Sequence, residues 1–541
     1  MSSKKNALFS VYDKTGVVED AQRLVIMGWR IYASSGTAKI LREAKIPVVD
    51  IAELVGGKPI LGHRVVTMSR ELAAALSADK AKPDDLAELA RLNIPVIDFI
   101  RCDFYPLRDA IVAPGASVDS VVEKTDVGGP SMVHAAAKGL RIVVCRKEDM
   151  EPVLRELEET DNVSHENRQK LRARAEFEVA KYVADSAMFH GGDKFRIISG
   201  ELMEAPLYGE NPWQKPAGVY STGTKDPLAI ERFNRIEGIK ASYNNNEDLQ
   251  RALNTLVHMV AGYEKNFGDH PWAGVGLKHG NACGAAVGFN MVDTVERVAR
   301  GCRRDIFGGC LMFNFPIGEE AAATLVREAA AEGQTKQMFD CVIAQSFSPG
   351  AVDILKRGSG RCRLLENVNL GVESNHLDTA QRFRYLRGGF QMQPNYTYVL
   401  DLNDLELKQF GPPIADRFYC RMNMTLAWAV GSTSNSNTIT IVNTGMLIGN
   451  GVGQKARVAA AELAVKCAID AGHKSMLKDA VAYSDSFFPF PDAVEVLYNA
   501  GIKTVFSTSG SIRDQEVQQF CADRGITLCQ LPDKKARGFL H

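Results

Sequence analysis

The sequence predicts an α/β fold in two or three domains, and three observations carry that expectation. Strand-like and helix-like segments alternate from Ala7 to Cys145, the pattern of a parallel sheet wrapped by helices. The 541 residues exceed what one hydrophobic core organises. The second half again mixes long helices with short apolar runs.

In order, Ala7 to Val11 reads as a short apolar strand. Val17 to Met27 sets Val17, Val18, Ala21, Leu24 and Val25 on one helical face. Trp29 to Ser34 is a strand, Thr37 to Ala44 a helix, and Ile46 to Ile51 a strand. Asp84 to Leu92 is helical and Ile94 to Ile100 a buried strand. Val118 to Glu123 and Met132 to Lys138 are helices, and Arg141 to Cys145 is another strand. Glu166 to Phe189 is a long helical segment. Beyond it, Asp248 to Phe267, Glu319 to Glu332, Arg417 to Val430 and Val458 to Ala471 read as helices, and Cys341 to Ser346 as a strand. Thr438 to Val442 and Met446 to Ile448, joined by Asn443-Thr444-Gly445, form a hairpin.

Charge is balanced, 64 Lys and Arg against 65 Asp and Glu. That gives no electrostatic case for nucleic acid or a membrane surface. No apolar run is long enough to span a bilayer, and the N-terminus shows no secretory segment. The eleven cysteines form no CxxC pair and no metal-type spacing with histidine. A soluble cytoplasmic protein without a metal is expected.

Several stretches carry chemistry. In Gly276 to Gly288, Lys278 and His279 stand side by side after the apolar run Ala273 to Leu277, ahead of a Gly- and Ala-rich turn. An imidazole is a base near neutrality and an ammonium stabilises developing negative charge, although such pairs also occur as solvated surface residues. Two strand-to-helix turns, Ser10 with Lys14, Thr15 and Gly16, and then Ser34-Ser35-Gly36-Thr37, bring hydroxyls, a cation and free amides to helix N-termini, where anions bind. Ordinary N-capping uses the same residues. No GxGxxG or Walker A pattern is present, which disfavours a dinucleotide or NTP. Asp126-Val-Gly128-Gly129-Pro130 opens a helix ending at Lys138, and Tyr105 follows a strand end. The Gly449 to Gln454 loop either admits a ligand or makes a tight turn. Phe487, Phe488 and Phe490 beside Asp485 and Asp492 suit a flat heterocycle or a packed aromatic core.

Together these motifs resemble a known family. SVYDKTG, the SSGT turn, Arg64 with Thr67, FYP, DVGGP and AAAK ending at Lys138 resemble the IMP cyclohydrolase domain of the bifunctional purine biosynthesis proteins. LYGENPWQ, SYNNN, LKHGNACG, FGG, SNS, GNGVGQKAR, SDSFFPFPD and GSIRD resemble their AICAR formyltransferase domain, in the family's order over nearly the whole chain. The resemblance implies a methylglyoxal-synthase-like parallel-sheet domain over residues 1–198. It also implies a cytidine-deaminase-like transferase domain of two similar subdomains over 199–541.

The implied activity is formyl transfer from 10-formyltetrahydrofolate to AICAR, giving FAICAR, followed by ring closure to IMP. By that resemblance His279 is the base, Lys278 steadies charge, and Asn435 orients the carboxamide. Tyr208, Gly209, Asn211, Arg537 and Phe539 match AICAR-contact positions, while Arg457, Phe487, Pro489 and Asp492 match positions that hold the reduced folate. Tyr105, Asp126 and Lys138, with Arg64, Thr67, Gly128 and Gly129, match the cyclisation site. Ser10, Lys14, Thr15, Ser34, Ser35, Gly36 and Thr37 match its phosphate cradle. A homodimer is implied as well.

The chain departs from the family in places. Where the family reads RVKTLHP this sequence has Val66 for the lysine and Ser69 for the histidine, leaving Lys14 and Arg70 as candidate substitutes. Leu207 replaces the arginine before YGxNP, the lysines ahead of SNS are gone, and Pro491 replaces an arginine. Two other readings therefore stand beside the bifunctional enzyme. One is a formyltransferase whose N-terminal domain binds nucleotide but cyclises poorly; the other is an inactive nucleotide- or folate-binding protein.

Overall fold

A computed structural model describes residues 5–57, 59–61, 65–330, 337–372, 377–414 and 417–541. The chain divides after Ser199 into two compact units.

In the first unit, strands β1 (Asn6–Ser10), β2 (Arg30–Ala33), β3 (Val48–Asp50), β4 (Phe99–Cys102) and β5 (Ile142–Val144) form one sheet in the order β3-β2-β1-β4-β5. All its pairings are parallel. Because side chains alternate along a strand, the sheet feeds two cores. Ala7, Phe9, Ile31, Phe99 and Ile142 pack on one face with the helices Val17–Ile26 and Met150–Thr160. Leu8, Tyr32, Ile100 and Val143 pack on the other with Arg70–Ser77 and Gly128–Lys138. The chain runs outward from β1 through β2 to β3, then returns beyond β1 to β4. That makes the carboxyl ends of β1 and β4 the switch point where such folds bind ligands.

The strand expected over Ile94 to Ile100 begins only at Phe99. Ile94 and Ile97 are buried, but the Ile97 amide is spent on Ala75 O, so burial there precedes the ladder. The helices Arg70–Ser77 and Leu107–Val112 are additions to the sequence reading.

The second unit is organised on one twelve-stranded sheet, β16-β21-β20-β19-β17-β18-β10-β9-β11-β12-β13-β8, with two small ribbons beside it, β6 (Glu201–Glu204) with β7 (Val219–Ser221) and β14 (Gln381–Leu386) with β15 (Gly389–Pro394). One half holds β8 (Asn234–Glu237), β9 (Trp272–Lys278), β10 (Asn281–Gly288), β11 (Cys310–Phe313), β12 (Cys341–Ala344) and β13 (Arg363–Glu366). The other holds β16 (Lys408–Phe410), β17 (Ile439–Asn443), β18 (Met446–Gly451), β19 (Val481–Ser484), β20 (Thr504–Ser509) and β21 (Thr527–Pro532). The strand order of each half repeats the other, and they join where β10 meets β18 antiparallel.

Two hydrogen bonds recur at equivalent places. Gly280 N–H in the β9–β10 turn donates to Asp248 Oδ1 at 2.6 Å, and Gly445 N–H in the β17–β18 turn to Asn423 Oδ1 at 2.8 Å. Likewise Ala273 N–H donates to Asn314 Oδ1 at 2.9 Å, and Thr438 N–H to Asp485 Oδ2 at 3.1 Å. The unit is thus two similar subdomains, as the resemblance implies.

The Gly- and Ala-rich segment after His279 is strand β10 rather than a turn, and Gly449 to Gly451 complete β18. Small residues are needed there for packing. A Cβ on Gly284 would lie 2.2 Å from Val298 O, and one on Gly451 2.0 Å from Ala460 O. Among the described residues no helix is long and apolar enough to cross a membrane.

The helix Tyr243–Phe267 buries His258 against Tyr396, rings stacked 5.3 Å apart. Burial pushes its pKa down to about 4. The unfolded chain therefore takes up a proton near pH 6.5 that the folded one refuses. Stability present above pH 6.5 should fall by about 3 kcal/mol as pH drops toward 4. Urea unfolding of His258→Leu across that range should lose this slope; an unchanged slope would remove His258 as its source.

Candidate functional site

The first cluster lies at the carboxyl ends of β1, β2 and β4. Ser10 pairs with Cys102, and from there two loops leave together. The Asp103 carboxylate ties them, accepting the Tyr12 amide and the Asp13 amide at 3.2 Å. The Tyr12 and Tyr105 rings meet edge to face at 5.5 Å. Tyr12 lies within SVYDKTG and Asp103 just before FYP, yet the sequence singles out neither, because the motifs do not show that the two stretches are tied to each other. The Lys14 ammonium donates to Val11 O and, at 3.3 Å, to Thr37 Oγ1, and burial pushes its pKa down. Ser34 Oγ lies 3.5 Å from the same hydroxyl. Ser34 and Gly16 stand at the N-caps of Ser35–Glu43 and Val17–Ile26, and neither makes a side-chain cap. The Val17 amide is spent on Lys14 O at 3.2 Å, whereas no side chain caps the first turn of Ser35–Glu43, where an anion can bind. Nothing lies within 4 Å of where a Gly36 Cβ would stand, so the approach is open. Thr15 faces Asp13, its hydroxyl 2.6 Å from the carboxylate, and Ser35 Oγ lies 3.5 Å from Asp50.

Asp126 closes this cluster. Its carboxylate accepts the Gly129 amide at 2.9 Å, and its own amide donates to Tyr182 Oη at 2.7 Å. Burial raises the pKa of both Asp126 and Tyr105. A Cβ on Gly128 would lie 2.4 Å from Thr67 Oγ1, and one on Gly129 2.5 Å from Asp126 Oδ2. Glycine is what lets Thr67 and Asp126 close on this helix start. A cavity of ≈ 260 Å³ opens alongside, lined by Asp103, Tyr105, Cys145, Lys181 and Tyr182 among others.

Lys138 is not part of that cluster. It ends the helix Gly128–Lys138, about 16 Å from its start, toward the amino edge of the sheet. Val66 packs against the apolar cluster that holds Leu72 and Met132. Arg64 lies outside the described residues.

The second cluster spans the two halves of the twelve-stranded sheet. Lys278 ends β9, and His279 and Gly280 make a two-residue turn with φ of 53° and 73°. Two successive positive φ values suit the twist of a hairpin, and they leave the imidazole exposed. Lys278 Nζ donates to Phe307 O at 2.8 Å, within the FGG segment. Asp248 holds the turn through Gly280; burial raises its pKa, which the Gly280 amide and His279 oppose.

Asn435 reaches the same place from the other half. Its side-chain oxygen accepts Arg251 Nη2 at 3.3 Å, and Arg251 in turn lies 3.5 Å from where a Gly280 Cβ would be. Arg251 is a residue the sequence reading missed, one cation on a long helix with no motif around it. Asn435 also bridges to Leu540, which brings the C-terminal segment alongside.

Just before Leu540, Arg537 pairs with Asp533 and stands 4.9 Å from the Phe539 ring. Asp533 also accepts Ser486 and Thr508 hydroxyls, at the carboxyl ends of β19 and β20. Phe487 is half-buried there, while Pro489 and Asp492 are exposed. Arg457 is committed inward. Its guanidinium donates to Ser484 Oγ at 2.8 Å, to Asn437 Oδ1 at 2.9 Å, and to the fully buried Asp485. Tyr208, Gly209 and Asn211 lie in a loop closed by Gln214, and Asn244 Nδ2 touches it at Glu210 O, 3.5 Å away. That places the loop by the start of the helix carrying Asp248 and Arg251.

A family profile described as AICARFT/IMPCHase bienzyme matches residues 136–467, and an MGS-like domain profile matches 16–131. The chain is 31% identical over 527 residues to the bifunctional purine biosynthesis protein PurH of Staphylococcus aureus, covering 97% of this chain and 98% of that one. It is 30% identical over 540 residues to the protein of the same name from Trichormus variabilis, covering 99% of each. A crystal structure of ForH aligns with 36% of this chain and 100% of its own at 32% identity, with a TM-score of 0.33.

Proposed function

The chain belongs to the AICARFT/IMPCHase bienzyme family, and from that premise we propose that it runs the last two steps of IMP synthesis. In the first, a formyl group passes from 10-formyltetrahydrofolate to the amine of AICAR. That amine is a poor nucleophile because its lone pair is drawn into the ring. A base must take its proton as the nitrogen attacks, and the oxyanion that forms must be steadied.

His279 fits the base, being exposed at the tip of a rigid turn, and Lys278 beside it supplies positive charge. The observation that supports this reading is that Arg251 stands against the Gly280 turn of one subdomain and bonds Asn435 of the other. As the tetrahedral adduct collapses, the bond to the folate nitrogen breaks, that nitrogen takes up a proton, and FAICAR leaves. Phe487, beside the polar strand ends, suits the flat folate ring, and Arg457 acts by holding Asp485 in place.

In the second step the carboxamide nitrogen of FAICAR attacks its formyl carbon and water is lost, a reaction that needs orientation more than a strong nucleophile. The Lys14, Ser34 and Thr37 cradle suits the phosphate, with Asp126 and Tyr105 at the ring. We take residues 1–198 and 199–541 as the two catalytic domains of a cytoplasmic homodimer.

Incubation with AICAR and 10-formyltetrahydrofolate, resolving FAICAR from IMP, tests both steps. IMP supports the pair, accumulated FAICAR supports transfer alone, and no product refutes transfer, with FAICAR supplied directly then deciding closure. Val66, packed on apolar side chains, favours a slow second step. One missing transition-state donor costs roughly 100- to 1,000-fold, so Val66→Lys should speed FAICAR closure at least about tenfold while transfer is unchanged. No gain would exclude position 66 as the limiting departure.

A further inference from the structure

Asp248 and Arg251 stand three residues apart on one face of their helix. Asp248 holds the His279–Gly280 turn, and Arg251 holds Asn435. The other terminal nitrogen of Arg251, Nη1, is buried and has no hydrogen-bond partner among the described residues. A buried guanidinium N–H without an acceptor is costly to keep.

More positive charge faces it. In the β14–β15 ribbon, Arg382 and Arg384 share a face with Gln391 and Gln393, while Phe383, Tyr385, Phe390 and Met392 take the opposite one. Both arginines donate to the His541 main-chain oxygen, Arg382 at 3.3 Å. Burial, then Arg382 and Arg384, hold the Arg251 pKa down, and burial and Arg384 do the same for Arg382. Glu247 is the carboxylate that opposes them at both. Three guanidinium groups thus stand near one another at the edge of the transferase centre, with Glu247 opposing the charge of Arg251 and Arg382 and the His541 oxygen accepting from Arg382 and Arg384. Arg382 is half-buried and Arg384 exposed, so an oxyanion can reach the group from solvent, and like charges held close together favour one beside them.

We propose that Arg251, backed by Arg382 and Arg384, is an oxyanion subsite of the transferase centre, taking either the phosphate of the ribotide or a carboxylate of the folate. Arg–oxyanion pairing is bidentate and strong, and Arg251 places it beside the amide that orients the reacting group. This assignment rests on the placing of His279 and Asn435 in that centre.

The test uses the full-length protein and steady-state formyl transfer. Arg251→Met should raise one KM by roughly 10- to 100-fold with little change in kcat, and Arg251→Lys should raise it less. If the group is the phosphate, the KM for AICAR rises while that for its dephosphorylated riboside does not. If it is the folate carboxylate, the KM for 10-formyltetrahydrofolate rises instead. The Arg382→Gln/Arg384→Gln pair, on the ribbon, should move the same KM in the same direction, and it provides the readout should Arg251→Met fail to fold. Both KM values unchanged, or a fall in kcat alone, would overturn the proposal. His279→Asn, run in parallel, separates the two claims, since retained turnover there refutes the placing of the centre itself.

Discussion

Replacing His279 by alanine removes formyl transfer, lowering its rate constant by roughly 100- to 10,000-fold, while FAICAR closure proceeds at its former rate. The AICAR amine cannot attack without losing a proton, and the described site offers no second imidazole at the β9–β10 turn to accept it. Lys278 is hydrogen-bonded to Phe307 O and as an ammonium has no lone pair to offer. The backbone makes alanine an imperfect probe, however. His279 has φ of 53°, a left-handed conformation that costs an ordinary L-residue about 1–2 kcal/mol. Asparagine tolerates that conformation and lacks a titratable ring, so His279→Asn should show the same loss with the hairpin intact. The measurement is single-turnover FAICAR formation at saturating AICAR and folate, with added FAICAR reporting on the other activity. Retained turnover in both variants would dismiss the imidazole as the base, whereas a rise in KM alone would recast it as a binding group.

Substituting Arg457 by methionine destabilises the Gly200–His541 unit by about 3–5 kcal/mol, the usual result of stripping one partner from a buried ion pair. Asp485 is fully buried and its two oxygens are shared between Arg457 and the Thr438 amide. Without the guanidinium the carboxylate has neither water nor a counter-charge. Urea unfolding followed by tryptophan fluorescence reads this directly, and a loss under about 1 kcal/mol would mean the pair behaves like an exposed one. The other subdomain indicates the rescue. At the equivalent place Asn314 accepts the Ala273 amide at 2.9 Å without any ion pair. Arg457→Met combined with Asp485→Asn should therefore regain most of the stability. Folate affinity would then tell whether the Arg457 charge matters to the ligand or only to the fold.

Much of the site was legible because its chemistry sits at element ends, and element ends announce themselves. Ser10, Ser34 and Gly36 stand where an apolar run gives way to an amphipathic one, and Lys278 where a buried strand stops. Asn443-Thr444-Gly445 declares a hairpin, and the structure turns there, with φ of 50° and 72° at Thr444 and Gly445. Arg251 carried no such mark. It is a single charged residue on a long helix, and its role depends on what another part of the chain places opposite. Lys138 shows the reverse case. Its helix was foreseen, but membership in a motif says nothing about which end of the sheet a residue occupies, and the helix carries it away from Asp126. The NACGAAVG stretch was taken for a turn because glycine and alanine weaken the strand signal; close packing of a helix over β10 is what requires them.

By itself the sequence determined the α/β class, the alternation of the first unit, the order of the family's motifs and the departures at Val66 and Leu207. These follow from local periodicity and from residue identity, which the chain carries at each position. Only the tertiary structure decided that the two similar subdomains join where β10 meets β18, that Arg457 serves Asp485, and that Arg251 stands against the Gly280 turn while bonding Asn435. Those facts depend on pairing between distant strands, and such pairing is settled by burial summed over the whole sheet rather than by any short stretch of residues.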